Sequence, residues 1–568
     1  MKTQNYIRLG AIIYLLLLQN FSLFAQGDCG EGCFVTVWKT DNQGVTANNQ
    51  ILFPGYGEDY DIYWEEVENP SNKGSLKGDS TTTITFPKVG NYRISISPKE
   101  NRFHRISLSG KNDNLKLLEV KQWGDIAWSS FNAAFMGCKN FVVSALDAPD
   151  LSNVSDMSKM FLNAQSFNQP IGDWDVSNVK NMSEMFVEAT LFNQSIGAWD
   201  VSNVTNMSYM FSEAASFNQP IGGWDVSNVS NISGMFQLAI SFNQSIEDWD
   251  VSKVTDMSAM FYGTPSFNQQ IGDWKVNNVS DMNGMFLGAT SFNQPIEKWN
   301  ISNVTDISGM FLGATSFNQP IEDWEVSNVE NMSAMFLGAT SFNKPLGKWN
   351  VGKVTNTISM FEEATSFNQP LENWDVSNVT DMRWMFNNAS SFNQSIGNWK
   401  LNDEVLLDLL LSNSGLDCQN YNRTLIGWTS NPLTPANLSL GAEGIKYGAE
   451  GVEARNQLLS RGWTITDDGL DEDCKSIITS ISNRSKSDLL SVYPNPNQGS
   501  FTIEIFGENK NATLEIINVL GQKVFSQELK NLNGKQTIPA DLRNHGKGIY
   551  WINLYFNNEV INRRIVIQ

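Results

Sequence analysis

Tryptophan recurs every 25 residues, at Trp174, Trp199, Trp224 and onward to Trp399. A column of indoles could do one kind of chemistry, stacking on a sugar or an aromatic ligand, and one kind of architecture, packing on its own copies. The unbroken column among apolar neighbours favours packing. The next residue is Asp175, Asp200, Asp225 and Asp250 in four successive repeats, which suggests calcium. The same position continues as Lys275, Asn300, Glu325, Asn350, Asp375 and Lys400, and lysine is no cation ligand. It reads as a solvated position. Histidine is confined to His104 and His545, so a His base, a His-ligated metal or a Ser-His-Asp triad lacks raw material. No catalytic residue, metal site or cofactor is expected. Paired carboxylates need no histidine, yet no segment outside the repeats is large enough for a typical catalytic barrel.

Five cysteines remain: Cys29, Cys33, Cys138, Cys418 and Cys474. Cys29 and Cys33 could close a small loop, and Cys418 and Cys474 could pair. Cys138 sits among Phe135, Met136 and Phe141 and reads as a buried thiol. The connectivity stays open.

The elements that position these residues follow from the period. Phe161 and Phe186 head one phenylalanine column. A second runs from Phe167 to Phe392, each followed by an asparagine such as Asn168 or Asn193. One unit, residues 166–190, reads SFNQPIGDWDVSNVKNMSEMFVEAT. A fixed period of this size means a solenoid, a propeller or an array, and 25 residues are too few for a propeller blade. Ile171, Trp174, Val176 and Val179 predict an extended arm. Met182, Met185 and Phe186 have the spacing of one helical face, and Asn181 suits its N-cap. The expected fold is a repeat solenoid, a short β-strand plus a helical turn in each 25-residue coil, over residues 121–400. The recurring asparagine is expected to satisfy turn backbone groups in a ladder. Tyr209 and Trp384 stand where other units carry Glu184, Ala259 or Gly284, which makes them candidates for a ligand face.

The flanks differ. A basic start, the apolar run LGAIIYLLLL and Ala25 read as a signal peptide over residues 1–25. Residues 26–120 alternate like strands between turn residues and predict an N-terminal β-sandwich-like module. Residues 401–475 break the period and predict a C-terminal cap. Residues 476–488 form a polar linker, and 489–568 a second β unit. The net charge of −21 argues against nucleic acid and anionic membranes as partners.

Units of this form resemble the 25-residue repeats of BspA-like leucine-rich-repeat bacterial surface proteins. That resemblance covers residues ~121–400 and implies a curved leucine-rich-repeat-like solenoid, adhesion to host or matrix proteins, and no catalytic residues. The tail resembles the type A C-terminal sorting domain of the type IX secretion system, an immunoglobulin-like β-sandwich. The matching residues are Tyr493, Pro494, Asn495, Pro496, Gly499 with Phe501, Gly521, Gly548, Tyr550 and the Arg563-Arg564 end strand. This implies the secretion machinery as a partner, export through the outer membrane of a Gram-negative bacterium, removal of the tail and often attachment to surface lipopolysaccharide.

The expected function is therefore a non-enzymatic, surface-anchored binding protein. It would be an adhesin or scaffold for a protein or glycan ligand on a host, a matrix or a neighbouring cell. Two alternatives stand beside it: a stalk that displays the N-terminal module, and accessory repeats of a glycan-degrading enzyme.

Overall fold

The computed structural model describes residues 30–110, 112–474, 490–493, 498–519, 521–556 and 559–568. The signal peptide of residues 1–25 and the linker of 476–488 lie outside them. The chain divides into two compact units, Met1–Glu472 and Asp473–Gln568.

The first unit begins with ten strands: β1 (Phe34–Lys39), β2 (Gln50–Phe53), β3 (Gly55–Gly57), β4 (Tyr60–Glu66), β5 (Lys73–Gly78), β6 (Thr82–Thr85), β7 (Asn91–Ile96), β8 (Phe103–Ile106), β9 (Leu117–Gln122) and β10 (Val142–Val143). They form a six-stranded sheet, β10-β9-β1-β7-β4-β5, and two ribbons, β2-β6 and β3-β8. Only β10 runs parallel to its neighbour within that sheet. Alternation in β7 drives Tyr92, Ile94 and Ile96 inward, where they are fully buried. The core of this sheet continues without a break into the repeats. Phe34 meets Trp128 edge to face at 5.0 Å, and Trp123 meets Trp174 at 5.4 Å.

From residue 144 to 417 the backbone contains neither strand nor helix. The leucine-rich-repeat-like solenoid of strands and helical turns is therefore overturned. In its place each 25-residue unit is a chain of tight turns, tied to the next by single parallel bridges such as Asp156↔Asn181 and Asn181↔Asn206. The physical reason lies in the segment that reads as a helical turn. Glu184 and Glu188 have φ of 59° and 57°, in the left-handed region that an α-helix cannot contain. The N–H groups of Met182, Glu184, Phe186 and Glu188 donate to carbonyls of the next unit (Asn206, Ser208, Met210 and Ser212) at 2.8–3.0 Å. The N–H groups between them close local turns instead, Met185 to the carbonyl of Met182 and Ala189 to that of Phe186. Alternate donors thus leave the unit, and the run of i→i−4 bonds that defines a helix never starts.

The apolar positions face inward in every unit. Phe186, Phe211 and Phe236 stack at 5.5–5.8 Å, and Phe186 also lies 4.1 Å from Phe192 of its own turn. No unit could bury this set alone, so each depends on its neighbours.

Beyond the repeats come the helix Cys418–Ser430, capped by the Asp417 carboxylate at the Asn420 N–H, and the helix Val452–Ser460. They pack with a parallel pair, β11 (Ser439–Ala442) and β12 (Thr464–Asp467). Leu407 and Leu440 bridge this end to the last repeat.

The second unit is antiparallel throughout: β13 (Leu490–Tyr493), β14 (Ser500–Asn518), β15 (Lys523–Asp541), β16 (Gly548–Phe556) and β17 (Glu559–Ile567). The tail was expected to be an immunoglobulin-like β-sandwich. Its five strands keep part of that expectation: all are antiparallel, and the 19-residue β14 links them by pairing with β13 along its first half and with β16 along its second. Its core includes Leu490, Ile503, Leu514, Ile552, Leu554 and Ile565.

Candidate functional site

The tryptophan column offers no ring face to a ligand. Trp174 is 6 % exposed, and Trp199 through Trp399 are 4 % or less. Each indole N–H from Trp199 onward is spent on the backbone of the preceding unit: Trp199 donates to the carbonyl of Ile171 at 3.0 Å, Trp224 to that of Ile196 at 3.1 Å, and Trp399 to that of Leu371 at 2.9 Å. Phe161 and Phe186 are fully buried. The asparagines form a side-chain ladder. Asn168 Oδ1 accepts the N–H of Asn193 at 2.9 Å and the amide of Gln194 at 3.0 Å, and Asn193 Oδ1 accepts the N–H of Asn218.

The exposed aspartates after the tryptophans each cap their own turn. Asp175 Oδ1 accepts the Ser177 N–H at 3.1 Å, and hydrogen bonding from Ser177 holds its carboxyl below the usual range. Asp200, Asp225, Asp250 and Asp375 repeat the arrangement.

Tyr209 and Trp384 stand seven units apart at one repeat position, on the order of 35 Å at ~5 Å per unit. They do not form one site. Both occupy the left-handed position, with φ of 56° and 58°. Tyr209 is 39 % exposed and leans onto the next unit. Trp384 is half-buried, with the Arg383 guanidinium 5.4 Å above its ring. The sequence carried an unread signal for these positions. Gly234, Gly284 and Gly309 share the column of Tyr209, and Gly263, Gly288, Gly313 and Gly338 share that of Glu188.

A cleft of about 270 Å³ lies between adjacent units, lined among others by Glu247, Asp248, Asp273, Glu297 and Lys298. Lys298 is already 2.7 Å from Asp273, which raises its pKa through the shared hydrogen bond. Nothing in this cleft pairs a nucleophile with a base. Cys418 and Cys474 are both disulfide-bonded, so neither offers a thiolate to a metal. Cys33 is also in a disulfide, while Cys138 is a free, buried thiol whose pKa burial raises.

In the tail, Pro494, Asn495 and Pro496 lie outside the described residues. Tyr493 donates its hydroxyl to Glu504, which also pairs with Lys535 at 2.6 Å. Gly499 has φ of 93°, and a Cβ there would stand 2.9 Å from the Arg543 backbone, which excludes a side chain. Gly521 lies in the turn between β14 and β15, where its N–H donates to the carbonyl of Asn518. Gly548 opens β16, and two residues later the Tyr550 hydroxyl donates to the carbonyl of Gly546 at 2.5 Å.

Comparison with known families follows this division. The family described as Mycoplasma protein of unknown function, DUF285, matches three times, over residues 129–248, 233–345 and 319–422. Together these matches cover more than half of the chain. The chain belongs to the DUF285 family. The three overlapping matches take in the turn-built units and the start of the helix Cys418–Ser430. Residues 491–568 match the secretion system C-terminal sorting domain, so the tail of this DUF285 chain directs type IX secretion and places the protein at the cell surface or outside the cell. No curated protein matches the chain. No helix among the described residues is long and apolar enough to cross a membrane.

Proposed function

We propose that this DUF285 chain is a non-enzymatic binding protein retained on the cell surface after type IX export, acting as an adhesin or interaction scaffold. The observation that carries the reading is the joining of a secretion tail to a long run of units whose repeated tryptophan and phenylalanine columns are spent on packing. What such a run offers a partner is an extended, regular outer face. The resemblance of its repeats to those of BspA-like surface proteins supports adhesion. A protein or glycan on a host, a matrix or a neighbouring cell is the ligand class. Surface lipopolysaccharide is the anchor that the sorting domain implies. Tyr209 and Trp384 are the side chains we assign to the outer face.

The test is binding of the full secreted chain to immobilised matrix proteins and polysaccharides. Saturable binding weakened by Tyr209→Ser or Trp384→Ser supports the reading. Binding that only substitutions in β1–β9 weaken would make the repeats a stalk. Release of reducing sugar from any polysaccharide in the panel would replace the reading with an enzymatic one.

A further inference from the structure

The sorting tail differs from the rest of the chain in charge. Residues 490–568 hold eight Lys and Arg against six Asp and Glu, a net of +2 in a chain of −21, so the remainder carries −23. The tail also breaks a rule of sheets. An antiparallel sheet with one face on a core normally turns polar residues to water on the other. In β16, GIYWINLYF, the inward residues Tyr550, Ile552 and Leu554 are buried. The outward residues Ile549 and Trp551 are apolar as well, each 39 % exposed. Trp551 is the one tryptophan among the exposed large apolar side chains of the described residues. Strand register sets Arg564 of β17 directly across from it on one side and Ile517 of β14 on the other. Val566 lies across from Ile549 and extends the patch.

An exposed indole beside an exposed guanidinium is the composition of a protein-binding hot spot, where an apolar slot desolvates the ring and a carboxylate meets the arginine. We propose that this outer face, centred on Trp551 and Arg564, is the surface by which the secretion machinery grips the tail. The partner is a protein with an apolar slot for the indole and an acidic rim. The sorting role of the tail requires a partner that the chain does not itself contain. Charge complementarity gives its sign, since the tail is cationic while the cargo is strongly anionic and would repel an acidic rim. An anionic glycolipid fits less well. Such surfaces select clusters of several basic residues, and the nearby Lys523 is already paired with Glu515 at 2.5 Å.

The test follows export of the full chain by a bacterium that carries the type IX system, with cell-retained and exported protein measured separately. Trp551→Ser and Arg564→Glu should each cut export by about tenfold or more, with the chain accumulating inside. Trp551→Phe should restore most of it, and the charge-matched Lys530→Glu should export normally. Melting of each purified chain guards against a folding defect. Normal export of Trp551→Ser would overturn the proposal. So would normal export followed by release into the medium, which would assign this face to surface attachment. Deletion of residues 491–568 is the separate check on the sorting role. Export that survives the deletion removes that role itself, whereas export lost on deletion but kept by Trp551→Ser removes only the patch.

Discussion

The ring of Tyr209 lies over the backbone of Gly234 in the next unit, so closely that a Cβ on Gly234 would stand 2.3 Å from Tyr209 Cδ1. Both residues hold the same repeat position and the same left-handed backbone, at φ of 56° and 58°. The exposed ring that reads as a ligand contact is therefore also a packing contact.

This pair is separable by a double-mutant cycle. Ala259 and Ala334 adopt the same backbone in other units, so the fold accepts alanine at this position. Gly234→Ala should cost about 1–3 kcal/mol from overpacking in chemical denaturation. In a Tyr209→Ala background most of that cost should vanish. An equal cost in both backgrounds would place the strain in the backbone alone.

The tryptophan column predicts a graded series. Trp299 is 2 % exposed and donates to the carbonyl of Ile271 at 3.0 Å. Trp299→Ala should cost about 3–5 kcal/mol. Trp299→Phe keeps most of the apolar volume but leaves that carbonyl short of a partner, a cost of about 1–3 kcal/mol. Because units contact only their neighbours, the alanine variant should also split the urea transition into two steps. A single unshifted transition would refute the packing role.

Asp281 gives a pH dependence. It sits in a column between Asp256 and Asp306, bridged to both, and its carboxylate accepts the Asn283 N–H at 2.8 Å. Burial raises its pKa most, the Asn283 bond opposes the rise, and the two neighbouring carboxylates add to it. The folded chain therefore holds this proton to higher pH than the unfolded chain does. Stability contributed by the site falls as pH rises from the unfolded value through the raised folded one, and the penalty is complete above it. Asn181, Asn206 and Asn231 fill the same position, so Asp281→Asn fits the turn. Asp281→Asn should melt higher than the parent at about pH 7, with the gap closing at about pH 3, below the ~3.9 of an unperturbed aspartate. A gap of constant size across that range would show that charge is not its origin.

How much of this was legible in the residues depends on whether neighbours along the chain or across units decide the answer. The period of 25, the buried indoles, phenylalanines and asparagine ladder, and the sorting tail could all be read from spacing and type, because a side chain repeated at one place in every unit meets its own copies. The helical turn at Met182, Met185 and Phe186 misled, because the spacing of apolar side chains records which of them point inward and not where the backbone N–H groups go. Those donors cross to the next unit, and only the stacked chain supplies the carbonyls that receive them. Glycines such as Gly234 and Gly288 hinted at the left-handed backbone, but Glu184, Tyr209 and Trp384 adopt it too, held there by the same crossing bonds. Composition and period thus determined which residues are core and that the units stack. Tertiary structure decided that the units are turns rather than strands and helices, that Tyr209 covers Gly234, and that Trp551 faces water beside Arg564. Each of those contacts joins residues that only the stack or the sheet register brings together.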